Sequence, residues 1–193
     1  MTERCPWCGE DPLYVRYHDE EWGLPVYEGR ALFQKLYLDG VQAGLSWITV
    51  LRKREHYYQA MDGLDPERMA RYSDARLAEL MQDRGLIRNR LKMQAARNNA
   101  QAFLAMQEQG LDFGDWLWGF VEGRPLVERR QSMEQVPAET ELSRRVSKEL
   151  RKRGFQFVGP TIVYAFLQAT GLVNDHLLSC WRWKACQAAS GSD

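Results

Sequence analysis

The sequence has no long apolar run and few cysteines, and each shortage excludes a class of protein. None of the apolar stretches in its 193 residues approaches the roughly 18 residues of a membrane-spanning helix, and the first residues lack the apolar segment of a secretory signal. We therefore expect a cytoplasmic protein without a membrane partner. Its four cysteines should stay reduced there, which favours metal binding over disulfides for Cys5, Cys8, Cys180 and Cys186.

The chain also lacks net charge, with 26 basic and 26 acidic residues, so it is not a protein that coats nucleic acid with its whole surface. Its basic residues are nevertheless clustered. Residues 144–153 contain six of them against the single acidic Glu149, and a second basic set lies within residues 84–97, beside Gly85. Each run fits either a solvated helix face or a local surface for nucleic acid.

Period-2 alternation is absent and helical spacing prevails, so the sequence predicts an all-α fold. We expect one domain over 1–193, with an irregular arm over 1–29, an exposed connection over 121–138 and a disordered tail over 183–193. His56 should be an exposed residue of the second helix. The expected helices span 30–44, 46–61, a short turn from Pro66, 73–81, 88–109, a basic helix from Thr140 or Glu141 to 153, and 160–171.

Two glycines five residues apart lie between the basic helix and the apolar helix that follows. Glycine adopts positive φ and lets the backbone approach a ligand closely, and the amides that open the second helix can converge on a phosphate. Such contacts hold a protein on a DNA duplex without reading its sequence. The alternative is an ordinary helical corner with glycine caps. The predicted DNA-binding residues are Lys152, Gly154, Phe157, Gly159 and Thr161.

Histidine and cysteine residues near the two ends of the chain indicate a metal site. His176 and Cys180 are four residues apart, which on a helical turn directs both side chains to one side, and Cys5 and His18 lie in the N-terminal arm. Structural zinc takes four nitrogen or sulfur ligands. Ligand chemistry leaves the fourth position open between His18 and Cys8, and unrelated thiols and histidines are the alternative. A zinc ion here would link the chain ends without taking part in chemistry.

Aromatic residues crowd the N-terminal arm and surround an isolated carboxylate. Asp39 and Trp47 flank the segment 40–46. An aromatic face stacked on a nucleobase contributes roughly 1–3 kcal/mol, and a carboxylate accepts hydrogen bonds from the edge of a base. The set fits a base-binding pocket, although such clusters also occur in hydrophobic cores. The rings of the arm belong to Trp7, Tyr14, Tyr17 and Trp22.

Several motifs resemble the bacterial DNA-3-methyladenine glycosylase I family of the helix–hairpin–helix superfamily. They are DPLYVRYHDEEWG, AGLSWITVLRKRE, KRGFQFVGPTIVYAFLQATGLVNDH and the pairs Cys5/His18 and His176/Cys180. The resemblance covers residues 3–182 and implies a mostly helical, two-lobed fold in which the hairpin 154–159 binds the DNA backbone. It also implies a structural zinc site with the ligands Cys5, His18, His176 and Cys180, and not Cys8.

The resemblance further assigns roles around the pocket. At Asp39 the family usually has glutamate, which is one methylene longer, and at Asn174 many helix–hairpin–helix glycosylases have an aspartate that assists loss of the base. A 3-methyladenine base is cationic, so its bond to the sugar is already weak, and recognition with a positioned water suffices. The resemblance maps the family's base pocket onto Asp39, Tyr17, Trp47 and Trp7. We expect Asp39, Tyr17 and Trp47 to be catalytic residues and Trp7, with Tyr14 and Trp22 of the same aromatic cluster, to bind the base.

Three functions are open at this point. The first is a monofunctional hydrolase that acts as a monomer with one structural zinc ion, flips 3-methyladenine out of double-stranded alkylated DNA and releases the free base. A lyase step is not expected, because no lysine is clearly placed as a nucleophile. The second is a non-catalytic protein of the same fold that binds damaged DNA. A weaker third is a zinc-containing protein-interaction domain without salt-dependent DNA binding.

Overall fold

Helices make up most of the computed structural model, which describes residues 3–189. None of the helices within that range is long and apolar enough to cross a membrane. A short parallel sheet pairs β1 (Leu126–Val127) with β2 (Val173–Asn174). The α-helices are α1 (Pro12–Glu20), α2 (Gly29–Val41), α3 (Trp47–Ala60), α4 (Pro66–Met69), α5 (Asp74–Leu80), α6 (Arg90–Glu108), α7 (Phe113–Trp118), α8 (Glu141–Lys152), α9 (Pro160–Ala169) and α10 (Trp181–Ala189).

The helix boundaries follow local capping chemistry. The side chains of Asp65 and Ser73 accept from the first amides of α4 and α5. Thr140 and Ser143 form a reciprocal capping box at the start of α8. Ser46 precedes α3 as expected, but its hydroxyl pairs with the Thr49 hydroxyl and not with a backbone amide. The mostly helical prediction is therefore confirmed, and most boundaries fall within two residues of the expected ones.

Helix α2 lies at the centre of the molecule, in contact with α3, α6, α7 and α9. Most of its residues are buried, and they belong to a hydrophobic cluster that runs from Tyr17 to Val173. The packing places Asp39, near the end of α2, inside the protein at 2% exposure. Gly40 follows it, and Phe157 of the α8–α9 turn lies so close that a Cβ on Gly40 would be 3.2 Å from the Phe157 Cβ.

Four expectations about the chain were wrong. The arm 1–29 contains α1, capped by Asp11. Two strands pair although no alternation predicted them. Residues 183–189 belong to α10 and not to a disordered tail, while 190–193 lie outside the described residues. His176 and Cys180 do not lie on a helix: they lie in the segment between β2 and α10, where a turn bond joins the Cys180 amide to the Leu177 carbonyl at 2.8 Å.

Candidate active site and metal centre

A cavity of about 210 Å³ opens beside α2, and every ring predicted for a base pocket lines it. The predicted carboxylate, Asp39, lines it as well. A volume of this size suits one small ring system held at one edge by a few polar groups. Eight lining residues were not predicted: Lys35, Gln42, Met133, Val136, Ala165, Gln168, Ala169 and Asp175.

The aromatic walls of the cavity are packed against one another. Trp7 is central, with ring centroids 5.0 Å from both Tyr14 and Trp22. Tyr17 and Trp47 lie 5.5 Å apart at a tilt of 42°. These are separations of rings in direct contact. A base held between Tyr17 and Trp47 therefore requires the two rings to separate.

Asp39 has one oxygen in a hydrogen bond and one without a partner. Oδ1 accepts from the Lys35 ammonium at 2.6 Å, whereas buried Oδ2 has no partner within residues 3–189. The indole Nε1 atoms of Trp7 and Trp47 are buried and unpartnered in the same way. Buried polar atoms are nearly always paired, and these three supply two donors and one acceptor that a polar ligand in the cavity could use.

Lys35 is the unpredicted lining residue that contacts the predicted carboxylate directly. It lies one helical turn before Asp39, and its Nζ stands 3.7 Å from the centroid of the Trp47 ring, a cation–π contact. Burial lowers the pKa of Lys35, and Asp39 opposes that shift. Burial raises the pKa of Asp39, and Lys35 opposes that shift in turn. The i, i+4 spacing of the two residues was the available signal.

The carboxylate beside Asn174 faces the cavity, and Asn174 itself does not line it. The Asn174 amide donates to the Trp183 carbonyl at 2.9 Å. Asp175 is completely buried and lines the pocket. It accepts from Arg130 at 2.8 Å, from Gln168 at 2.8 Å and from the Tyr164 hydroxyl.

Two cysteines and two histidines meet beside the pocket, and they are the four residues that the resemblance implied as ligands. The ligand atoms of Cys5, His18, His176 and Cys180 all lie within 4.8 Å of one another, and all four residues are buried. The Cys180 Sγ is 3.4 Å from His18 Nε2 and 3.5 Å from His176 Nδ1. Cys8 is left out, since its thiol faces the Cys5 carbonyl at 3.2 Å.

The two distances from the Cys180 Sγ, 3.4 and 3.5 Å, fit a tetrahedral zinc ion. Zinc bonds of about 2.3 Å to sulfur and about 2.0 Å to nitrogen place the ligand atoms about 3.5 Å apart. The second nitrogen of each histidine has an acceptor, as ligating histidines require: Asp19 Oδ1 at 2.8 Å for His18 and the Trp22 carbonyl at 3.0 Å for His176. Arg4 lowers the pKa of Asp19 to about 2 through its hydrogen bond, which keeps this acceptor ionised.

The α8–α9 turn presents backbone amides beside a basic helix. Gly154 has φ +92° as predicted, but the second left-handed residue is Phe157 at φ +54°, while Gly159 has an ordinary φ of −61°. The amides of Val158 and Gly159 have no acceptor among residues 3–189. Lys152 and Thr161 are exposed on either side of the turn.

Lys92 of the second basic set and the third histidine have structural partners, whereas Arg84, Arg88 and Arg90 of that set are exposed. The ammonium of buried Lys92 donates to the carbonyls of Val41 and Ala43 at 2.8 and 2.5 Å, which completes the end of α2. His56 was expected to be exposed; it is half-buried and bonds Asp83 at 2.8 Å. Neither residue extends the surface of the α8–α9 turn.

Comparison with known proteins gives concordant matches. A model of the methyladenine glycosylase family matches residues 7–183. The chain is 49% identical over 180 residues to the DNA-3-methyladenine glycosylase of Haemophilus influenzae, covering 93% of this chain and 97% of that protein. It is 48% identical over 178 residues to DNA-3-methyladenine glycosylase 1 of Escherichia coli, covering 92% and 95%.

Solved structures agree with these sequence matches. A crystal structure of 3-methyladenine DNA glycosylase I superposes with a TM-score of 0.91 at 48% identity, covering 93% of this chain and 98% of the other. A structure that addresses 3-methyladenine recognition by the Staphylococcus aureus enzyme gives 0.89 at 33% identity, covering 100% and 98%.

Proposed function

Since the chain belongs to the methyladenine glycosylase family, we propose that it flips 3-methyladenine out of alkylated double-stranded DNA into the aromatic pocket and hydrolyses the bond between base and sugar. Relatives at 48–49% identity over nearly their whole length are DNA-3-methyladenine glycosylases, so the chain is a DNA repair enzyme that excises this base. The observation that supports the pocket assignment is the free Asp39 Oδ2 at the end of a ring-lined cavity.

Recognition in this proposal uses the unpartnered atoms of the pocket. The base packs against Trp47 and Tyr17 after the two rings separate, with Trp7, Tyr14 and Trp22 completing the walls. Asp39 Oδ2 accepts from the amino group of the base. Because Oδ2 is already buried without a partner, a base that supplies the donor removes an existing penalty of about 1–3 kcal/mol. We propose that Asp39 takes this role although it is shorter than glutamate.

Hydrolysis in this proposal relies on the lability of the substrate. The cationic base leaves as a neutral molecule, and water adds to the sugar carbon as positive charge develops there. Asn174 has an amide in place of a carboxylate, and this amide donates to the Trp183 carbonyl, so it gives no carboxylate to this step. Lys35, the lysine of the pocket, pairs with Asp39 at the base-binding end, which favours a hydrolase without a lyase step.

We also propose that Cys5, His18, His176 and Cys180 bind one structural zinc ion. Three distances of 3.4–3.6 Å between ligand atoms and the acceptors behind both histidines support this assignment. The ion would link the segment before α1, which carries Trp7, to the segment after β2. It takes no part in the chemistry of the base.

The α8–α9 turn is the proposed contact with the DNA backbone, through Lys152, Gly154, Phe157, Gly159 and Thr161. Free amides at the start of α9 and the basic residues of α8 support a phosphate site. Turn, pocket and cluster all come from one chain, and we propose that the monomer is the active form.

Gly159→Val tests the turn. A side chain at this position would stand between the α9 amides and a phosphate, so DNA affinity should fall about tenfold, the equivalent of one charge-assisted hydrogen bond. The fold should tolerate the change, because φ is −61° and a Cβ would meet only the Arg151 guanidinium at 3.5 Å. Gly119→Val, where a Cβ meets nothing within 4 Å, is the control. Equal affinities for both variants would contradict the assignment.

The second candidate function is damage binding without catalysis, favoured by the absence of a carboxylate at Asn174. Release of free base decides between the two. The purified protein should liberate 3-methyladenine from DNA treated with a methylating agent, and untreated DNA of the same sequence is the control. Binding to the treated DNA without release of base at micromolar protein would support the second candidate and overturn the first.

A further inference from the structure

The charged side chains that line the pocket are neutralised by the protein itself. Lys35 donates to Asp39 at 2.6 Å, and Arg130, behind the cavity wall, donates to Asp175 at 2.8 Å. Lys35, Asp39 and Asp175 are the charged residues that line the cavity within the described chain. The pocket therefore has little net charge before a base enters.

Lys35 is held in place from two sides. Its ammonium contacts the Asp39 carboxylate on one side and the face of Trp47, at 3.7 Å, on the other, and its side chain is 17% exposed. An ammonium has three donors, and Asp39 occupies one. Beside it lies the free acceptor Asp39 Oδ2. The pocket thus offers a donor and an acceptor side by side, which matches the adjacent ring nitrogen and amino group of an adenine edge.

A neutral pocket suits the change in charge that the base undergoes. The 3-methylated base is a cation while it is attached, and its charge passes to the sugar as the bond breaks. An unbalanced carboxylate would attract the base more strongly in the ground state than in the transition state, which slows the bound complex. A balanced carboxylate accepts the same hydrogen bond without this differential attraction.

On the premise of the proposed function, we infer that Lys35 is a specificity-determining residue: it balances Asp39, so that the pocket selects a base by its hydrogen-bonding edge and not by its charge. Lys35, and not the cationic substrate, is then the counter-ion of Asp39. This assignment predicts that removal of the lysine charge creates a preference for cationic ligands.

Binding of two small probes measures that preference. 9-Methyladenine is neutral, and 3,9-dimethyladeninium has the same edge and a positive charge. At about pH 8, well above the ordinary pKa of an aspartate, the wild-type protein should bind both with similar affinity. Lys35→Met should bind the cation about tenfold more tightly, with a smaller change for the neutral probe. Lys53→Met, which removes one positive charge outside the pocket, should behave as the wild type.

Release of base from methylated DNA tests the inference on the reaction. Lys35→Met should lower KM and kcat together, each about tenfold, with kcat/KM nearly unchanged. Lys35→Arg keeps the charge and should restore kcat. If Lys35→Met does not fold, Lys35→Gln removes the charge and keeps a donor for Asp39.

An unchanged ratio of the two probe affinities in the charge-free variant, or a KM that rises, would overturn the inference. A purely structural role of Lys35 predicts that second outcome. The probe comparison needs no turnover. A wild-type protein that fails to release base would therefore contradict the proposed function alone, while the probe ratio would still decide the role of Lys35.

Discussion

The cluster of Cys5, His18, His176 and Cys180 lies beside the aromatic pocket, yet the two regions differ in how completely the protein satisfies their polar atoms. Trp22 lines the pocket and offers its carbonyl to His176, and the Trp7 ring lies 5.3 Å from His18. In the cluster, both imidazoles have partners for both nitrogens. In the pocket, Asp39 Oδ2 and two indole nitrogens have none within residues 3–189.

This difference distinguishes polar groups that stabilise the fold from polar groups that serve binding. A group of buried ligands whose outer hydrogen bonds are complete needs only an ion at its centre, and it then stabilises the fold. A pocket with unpartnered polar atoms and a buried ion pair is costly to the fold, and such costs are typical of binding sites. Loss of the cluster should therefore weaken the protein, whereas loss of the pocket polarity should weaken only its activity.

Removal of one ligand gives the largest expected effect. Cys180→Ser should lose the bound zinc and lower the free energy of unfolding by about 5 kcal/mol, because metal binding contributes directly to folding. Cys8→Ser is the matched control, since that buried thiol faces the Cys5 carbonyl and lies outside the cluster. Zinc content by elemental analysis and chemical denaturation check both variants. Full zinc content in Cys180→Ser would show that the ligand set is wrong.

Asp39→Asn should act on catalysis with little effect on the fold. The change replaces a carboxylate oxygen by an amide and leaves the Lys35 charge unbalanced next to a cationic base. We expect release of 3-methyladenine to fall about a hundredfold, or about 2.7 kcal/mol. Affinity for undamaged DNA should change far less, because the α8–α9 turn is untouched. Equal losses of both quantities, measured with the wild type beside the variant, would assign Asp39 a structural role.

The two regions also differ in how far the sequence predicted them. The chemistry of zinc admits few residue types, so three of the four clustered residues followed from ligand type and position, and the resemblance selected His18 over Cys8. The geometric reason was wrong, since His176 and Cys180 lie in a turn before α10. Ligand identity therefore proved more informative than the assumed helical spacing.

The polar part of the pocket was harder to predict. Asp175 is bonded to Arg130, 45 residues away, and no local pattern reveals such a partner. Lys35 was overlooked because a lysine on a helix is usually solvated, although its spacing to Asp39 was informative. Helix α1 was missed because its aromatic residues lack a clear apolar period. Asp11 followed by Pro12, a cap and a first-turn proline, was the usable signal.

A double substitution in the pocket should raise stability, the opposite of the change in the cluster. Lys35→Met with Asp39→Leu replaces a buried ion pair by apolar side chains and should raise the free energy of unfolding by about 1–2 kcal/mol, with loss of base release. The pKa of Asp39 is raised in the folded protein, so this group takes up a proton on folding. Its contribution to the free energy of unfolding of the wild type therefore falls as pH rises through the folded-state pKa.

The advantage of the double variant should therefore shrink when pH is lowered from neutral toward the ordinary pKa of an aspartate. Denaturation curves at several pH values measure this difference, and Lys53→Met controls for the loss of a lysine charge elsewhere. A double variant less stable than the wild type at neutral pH would mean that the Lys35–Asp39 pair stabilises the fold. The contrast between a structural cluster and a costly pocket would then fail, because both regions would be serving stability.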